Sequence, residues 1–329
     1  MPGPEESERG AERRTENPRT FNSLNEEEKK TYRVTFIEKN RETLLPFLEQ
    51  QEIFVLGRQF YTTGHEVDAA QCSLIVDNLV SFVKNCFSTM YDGSTGKTAS
   101  GFAFGDASIL VDCELESAMQ LIEDSEMCRH KELFRESAPV KEINEICHTI
   151  DSIKKSYFPV IGTTSGSERK KLVKELCTAL ALEMKRYSLL TVASVFKIVL
   201  KRDSPIFPSK YFQCYTNASA IEDPRKRVLI CKFIITFFLS NEKREILEVV
   251  SCFLYALVKK SEKSALNFKN IAIIFTPLFF IDGNFSTVGD NFKEPLEKLS
   301  LFLEFFLGNS REIFLVESEG SSADQERGE

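Results

Sequence analysis

The chain has 329 residues, of which 42% are hydrophobic and 28 are Phe, with a formal net charge of -7. That is enough apolar material for a sizeable core and excludes general disorder, while the acidic balance leaves no dominant basic face for nucleic acid and favours a protein partner. The nine cysteines, Cys72, Cys113, Cys177 and Cys252 among them, form no C-x-x-C pair. They sit mostly in apolar segments where a thiol acts as a small hydrophobe, so the usage points to a cytoplasmic protein.

Residues 1–22 are rich in Glu, Arg, Pro and Gly and predict a disordered tail, as do 317–329. The first residues hold no apolar core of the kind a secretory signal needs, and Pro2 stands where myristoylation requires glycine. No run reaches the length of a membrane span, the apolar stretch at 271–281 being too short, so stable membrane insertion is not expected. Any peripheral recruitment would come through a partner.

Residues 23–95 read as a helical extension. Ser23 and Glu26 have capping-box spacing for a helix through Leu44, Leu45 and Leu48, which Pro46 should kink or end. Leu74, Val76, Leu79, Val80 and Val83 suggest a second helix, and strand-like alternation is confined to 53–61. The Gly, Ser, Thr and Lys run at 92–105 breaks all periodicity and marks a linker. Beyond it the spacing predicts helices near 114–127, 139–154, 167–186, 189–202, 209–217, 225–238, 264–275 and 291–307. Ile246, Val249, Val250, Phe253, Leu254 and Leu257 give the clearest apolar stripe, behind a cap at Ser240 or Asn241. The expected fold class is all-α, with the main domain at about 100–310.

Two chemical motifs fail on spacing. Gly96-Lys97-Thr98 lacks the glycine a P-loop needs five residues earlier, where Tyr91 stands, and it follows a helical pattern rather than a strand. Cys128, His130, Cys147 and His148 match no usual zinc arrangement, and adjacent helical residues point their side chains apart. No resident metal or cofactor is expected. Neither a Ser/His/Asp set nor a carboxylate pair stands out, so the chain does not read as a self-contained hydrolase.

Three strings remain. Leu133-Phe134-Arg135-Glu136-Ser137 leads through Ala138 and Pro139 into a predicted helix. Val192-Ala193-Ser194-Val195-Phe196-Lys197-Ile198-Val199-Leu200-Lys201 is followed by Asp203-Ser204-Pro205. Asn270-Ile271-Ala272-Ile273-Ile274-Phe275-Thr276-Pro277-Leu278 comes third. In this order the three resemble the signature segments of Rho GTPase-activating (RhoGAP) domains: the finger loop, the Val-Ala-x-Leu-Leu-Lys helix and the Asn-Leu-Ala-x-x-Phe-x-Pro-x-Leu string. Leu239-Ser240-Asn241, opening the helix before Asn270, is similar to a fourth family segment.

The resemblance implies a RhoGAP-like helical domain that stimulates GTP hydrolysis by a Rho- or Rac-type small GTPase, the nucleotide and magnesium being the partner's. It makes Arg135 the catalytic finger and gives Lys197, Lys201, Asn270 and Pro277 to the GTPase-binding surface, Lys197 either supporting the finger loop or contacting the partner, and Pro277 ending its helix at the same surface. Phosphoryl transfer builds charge on phosphate oxygens, and a guanidinium brought into a water-excluded interface stabilises it. The chain departs from the family where Glu132 and Ala138 replace glycines, Glu136 replaces an apolar residue, and Lys201 replaces arginine. Residues 165–171 also lengthen the interval between finger and Lys197. These departures motivate an alternative: a catalytically silent module of the same fold that binds a small GTPase or another signalling protein.

Overall fold

The computed structural model describes residues 19–49, 104–125, 133–202, 205–260, 266–281 and 293–316. The expectations at 53–61, 74–83 and 92–103, and those resting on Cys128, His130 and Glu132, lie outside them.

Among the described residues the secondary structure is helical. The chain runs through α1 (Glu26–Lys39), α2 (Arg41–Glu49), α3 (Phe104–Asp124), α4 (Val140–Ile161), α5 (Gly166–Met184) and α6 (Leu189–Arg202). It continues through α7 (Phe212–Ser219), α8 (Pro224–Phe237), α9 (Asn241–Lys260), α10 (Phe268–Phe280), α11 (Lys293–Gly308) and α12 (Ser310–Phe314). The all-α class is therefore as the sequence predicts.

Two packed groups share one core. Helix α3 lies against α5 and α6, with α4 closing over α5, while α10 packs on α11 and α11 on α7. The turn after α6 joins the groups. There the Phe207 N–H donates to Phe279 O at 2.9 Å, and the Phe207 ring stacks on Phe280 at 4.7 Å and meets Tyr215, Phe302 and Phe306 edge-on. Edge and offset contacts of this kind add roughly 0.5–1.5 kcal/mol each beyond the area they bury. They fix the C-terminal end of α6 relative to α10.

Several boundaries differ from the sequence reading. The capping box at the start of α1 is formed by Asn25 and Glu28, because Ser23 belongs to a preceding 3-10 turn, Phe21–Ser23. That turn corrects the expected tail at 1–22: Phe21 is buried, and Thr20 pairs antiparallel with Leu315. Pro46 ends nothing, since α1 stops at Asn40 and α2 runs through the proline to Glu49. Pro277 likewise lies inside α10, which continues to Phe280. A proline removes one hydrogen bond and strains the preceding turn, but Phe275, Thr276, Phe279 and Phe280 on both sides of it are buried and hold the helix. Of residues 165–171, Ser165 occupies the N-cap position and 166–171 form the first turns of α5, beside the start predicted for that helix at 167. Helix α3 begins at Phe104, within the span read as linker.

Candidate functional site

The site begins with a turn, Leu133–Glu136, just ahead of α4. Leu133 and Phe134 are 1% exposed, whereas Arg135, Glu136 and Ser137 are exposed. The apolar pair therefore anchors the turn and leaves the arginine outside. Phe134 is gripped between two helices, its ring 5.2 Å from Phe275 of α10, edge-on, and 6.0 Å from Phe196 of α6.

Helix α6 then holds the backbone of the turn and of the residues that lead into α4. The Lys197 ammonium donates to Phe134 O at 2.8 Å. One turn earlier, Ser194 Oγ accepts the Ala138 N–H at 3.2 Å and donates to Leu190 O at 2.8 Å. One turn earlier again, Thr191 Oγ1 donates to Glu142 Oε2 at 2.9 Å, tying down the first turn of α4. Thr191, Ser194 and Lys197 are spaced i, i+3, i+6, so they form a single polar stripe along the helix facing the loop. Ser188, whose Oγ accepts the Thr191 N–H at 3.2 Å, starts that helix. Lys197 is half-buried, and desolvation lowers its pKa from the ordinary lysine value.

Beside the turn is an open hollow of ≈ 420 Å³. Arg135, Lys197, Lys201, Ile198, Ile274 and Leu278 line it, with Phe134 below. Lys201 is exposed at the last turn of α6. Ile198 is 38% exposed, and Ile274 and Leu278 are partly exposed, so the lining mixes cations with uncovered apolar surface.

The structure thus brings Arg135, Lys197 and Lys201 together around one concavity. Asn270 and Pro277 are not among its lining residues. Asn270 is exposed near the start of α10, where its N–H donates to Asn267 Oδ1 at 2.8 Å. It shares a helical face with Ile274 and Leu278, one and two turns on, and extends the same surface. Pro277 is half-buried within α10.

Comparison with known families decides what this arrangement belongs to. A family model described as "RhoGAP domain" matches residues 113–284, which take in the turn, α6 and α10. The chain belongs to the RhoGAP domain family. Membership implies a small GTPase as partner. Among solved structures, the chain is similar to the BH domain of GRAF, the GTPase regulator associated with focal adhesion kinase, at 12% identity and a TM-score of 0.45. That match covers 62% of this chain and 94% of the other. It is also similar to human Rho GTPase activating protein 15, at 16% identity and a TM-score of 0.42, over 61% and 82% of the two chains. No curated protein matches by sequence.

The RhoGAP signature strings identify Lys197 but not its neighbours in the stripe. Ser194 and Thr191 are the polar residues of the otherwise apolar run 189–196, which is the one signal available, and their partners lie 49–56 residues away in sequence. Nothing in the local sequence marks Glu114 either. It is fully buried on α3, and its carboxylate accepts from Lys154 Nζ of α4 at 2.8 Å and Arg202 Nη1 of α6 at 3.2 Å. A carboxylate between two cations fastens the end of α6, next to Lys201, to both neighbouring helices. Among the described residues no helix is long and apolar enough to cross a membrane, and no three His, Cys, Asp or Glu converge as a metal-ligand set.

Proposed function

We propose that this chain stimulates GTP hydrolysis by a Rho-family small GTPase, with Arg135 entering the partner's active site in trans. The observation that supports this most is the division of labour in the turn: Phe134 is buried and its carbonyl is held by Lys197, while the next side chain, Arg135, is exposed. A guanidinium on an anchored turn reaches a partner's phosphates without the turn having to be ordered first, which is where transition-state stabilisation is gained. Lys201, Ile198, Ile274 and Asn270 then serve as docking surface around the finger, with Pro277 shaping α10 behind them. Lys197 acts on the finger turn rather than on the partner. GTP and magnesium are bound by the GTPase.

A finger supplied in trans is worth about a thousand- to a hundred-thousand-fold in hydrolysis rate, roughly 4–7 kcal/mol. Single-turnover hydrolysis with a panel of small GTPases tests the reading. Wild-type protein is expected to stimulate at least one Rho-type member, and Arg135→Ala to lose that stimulation while still binding. Tight binding with no stimulation of any member would sink it.

One observation favours the alternative of a silent GTPase-binding module. Glu136 is exposed directly beside Arg135, which puts a carboxylate near the phosphates that the finger is meant to approach. If Glu136→Val gains stimulation that wild type lacks, the silent reading is the correct one.

A further inference from the structure

Away from the finger, a second hollow of ≈ 490 Å³ lies between α3 and α9. Its floor is apolar. Leu115 and Met119, one turn apart, line it from α3, and Ile246 and Val250, also one turn apart, line it from α9. Leu115, Met119 and Val250 are buried, Ile246 is partly open, and Val249 on the rim is 52% exposed. Among the described residues none lines both this hollow and the one beside Arg135.

The walls carry one sign of charge. Glu116 of α3 and Glu245 and Glu248 of α9 are lining residues, and no Lys or Arg is. Among the described residues these carboxylates form no ion pair, and their partners are neutral donors: Asn22 Nδ2 for Glu248 and the Cys177 thiol for Glu116. Arg244 lies in the field of Glu245 and Glu248 but gives its own donors to backbone carbonyls and to Asn241. Farther along the same two helices the charges balance, with Lys260 Nζ 2.6 Å from Glu123 Oε1, so the acidic excess is local to the hollow. Asn22 closes one edge, and its Oδ1 is a buried acceptor with no hydrogen-bond partner among the described residues. Like charges around one hollow raise each other's energy, and a cation seated among them lowers it.

We propose that the α3–α9 hollow docks a basic amphipathic helix of another protein. Its Lys or Arg side chains sit among Glu116, Glu245 and Glu248, and its apolar side chains cover Met119, Ile246 and Val249. A helix presents both kinds of side chain on one face at i, i+3 and i+4 spacing, the usual way in which a groove between two helices is filled. The segments 1–18 and 317–329 of this chain do not suit the site, since each holds more acidic than basic residues and almost no large apolar ones. A helix seated here leaves the hollow beside Arg135 open.

The test selects a displayed library of random helix-forming peptides on the full-length protein, then measures the enriched sequence, synthesised and labelled, by fluorescence anisotropy. Enriched peptides are expected to carry Lys or Arg together with Leu, Ile, Phe or Met on one helical face. Their affinity should fall about tenfold or more in Glu116→Lys/Glu245→Lys, and should weaken as salt is raised. Val249→Asn leaves every charge in place and should weaken binding several-fold through lost apolar contact alone. Both variants should keep the wild-type unfolding midpoint, because all three side chains are exposed. Enrichment of no basic amphipathic sequence would overturn the proposal, as would an enriched peptide that binds both variants as it binds wild type. A concentration-dependent dimer of the full-length protein that Glu116→Lys/Glu245→Lys abolishes would give the hollow to a second copy, and would overturn it as well.

Discussion

Two arginines of this chain show what burial does to the same side chain. Arg135 sits exposed on a turn, presented by an anchored Phe134. Arg244, at the start of α9, is fully buried. Its Nε donates to Ile235 O at 2.7 Å and its Nη2 to Leu239 O at 2.8 Å and Thr236 O at 3.3 Å, while Nη1 donates to Asn241 Oδ1 at 2.9 Å. The guanidinium therefore caps the last carbonyls of α8, which have no partner within that helix, together with the Leu239 carbonyl just beyond it. Phe21 closes over it at 4.5 Å, which joins the N-terminal segment to the domain. Burial pushes the Arg244 pKa down to about 9, so the group stays charged at neutral pH. One arginine directs its charge outward and the other uses it inside the fold.

Opposite outcomes are expected when the two are removed. Arg135→Ala should reduce GTPase stimulation by about a thousand-fold or more, roughly 4 kcal/mol of barrier at the least, since it deletes charge stabilisation in the transition state. Its denaturant midpoint should stay close to wild type, because the side chain is exposed. A large stability change in that variant would mean that the arginine is structural, and the distinction between the two would collapse.

Arg244→Met should do the reverse. It leaves the carbonyls of Ile235, Thr236 and Leu239 buried without donors and removes the cation against Phe21. Breaking a buried charged network of this kind costs about 3–5 kcal/mol, readable in chemical unfolding. Stimulation per folded molecule should be unchanged.

These residues also mark how far the sequence can be read. Helices are legible wherever one face is buried along its length, as in α9, whose Leu247, Val250, Phe253, Leu254 and Leu257 repeat at helical spacing. The three signature strings lead to the turn, to α6 and to α10 because each is contiguous in the chain. Phe21 is not legible: a lone aromatic in a polar segment carries no periodicity, and it is the folded chain that packs Tyr32, Arg33 and Arg244 against its ring. Arg244 reads as one more charge in Asn241-Glu242-Lys243-Arg244-Glu245 for the same reason. Local sterics make Pro46 and Pro277 look like stops, and packing of the flanking turns outweighs them.

Intermediate effects fall on the support of the finger. Lys197→Met keeps the stem of the side chain but leaves Phe134 O, on a nearly buried residue, without its ammonium donor. About 1–3 kcal/mol of stability should be lost, together with several-fold in stimulation, while GTPase affinity falls little. A titration of GTPase at saturating levels separates the two. If affinity rather than the maximal rate collapses, Lys197 belongs to the docking surface and not to the turn.

The smallest effect expected is the most informative about how the turn is held. In Ser194→Ala the Ala138 N–H loses its acceptor, a loss of about 1 kcal/mol. The same change removes a hydroxyl that bonds back to Leu190 O within α6, and alanine is the better helix former by roughly 0.5 kcal/mol. The helix therefore regains part of what the loop loses, and the melting temperature should barely move. Stimulation should still fall, because the lost hydrogen bond holds the segment between Arg135 and α4, whereas the gain lies within α6 alone. A variant of near-wild-type stability with a reduced maximal rate would trace finger position to the Thr191–Ser194–Lys197 stripe. An unchanged rate would leave Phe134 burial and Lys197 as sufficient to hold the turn.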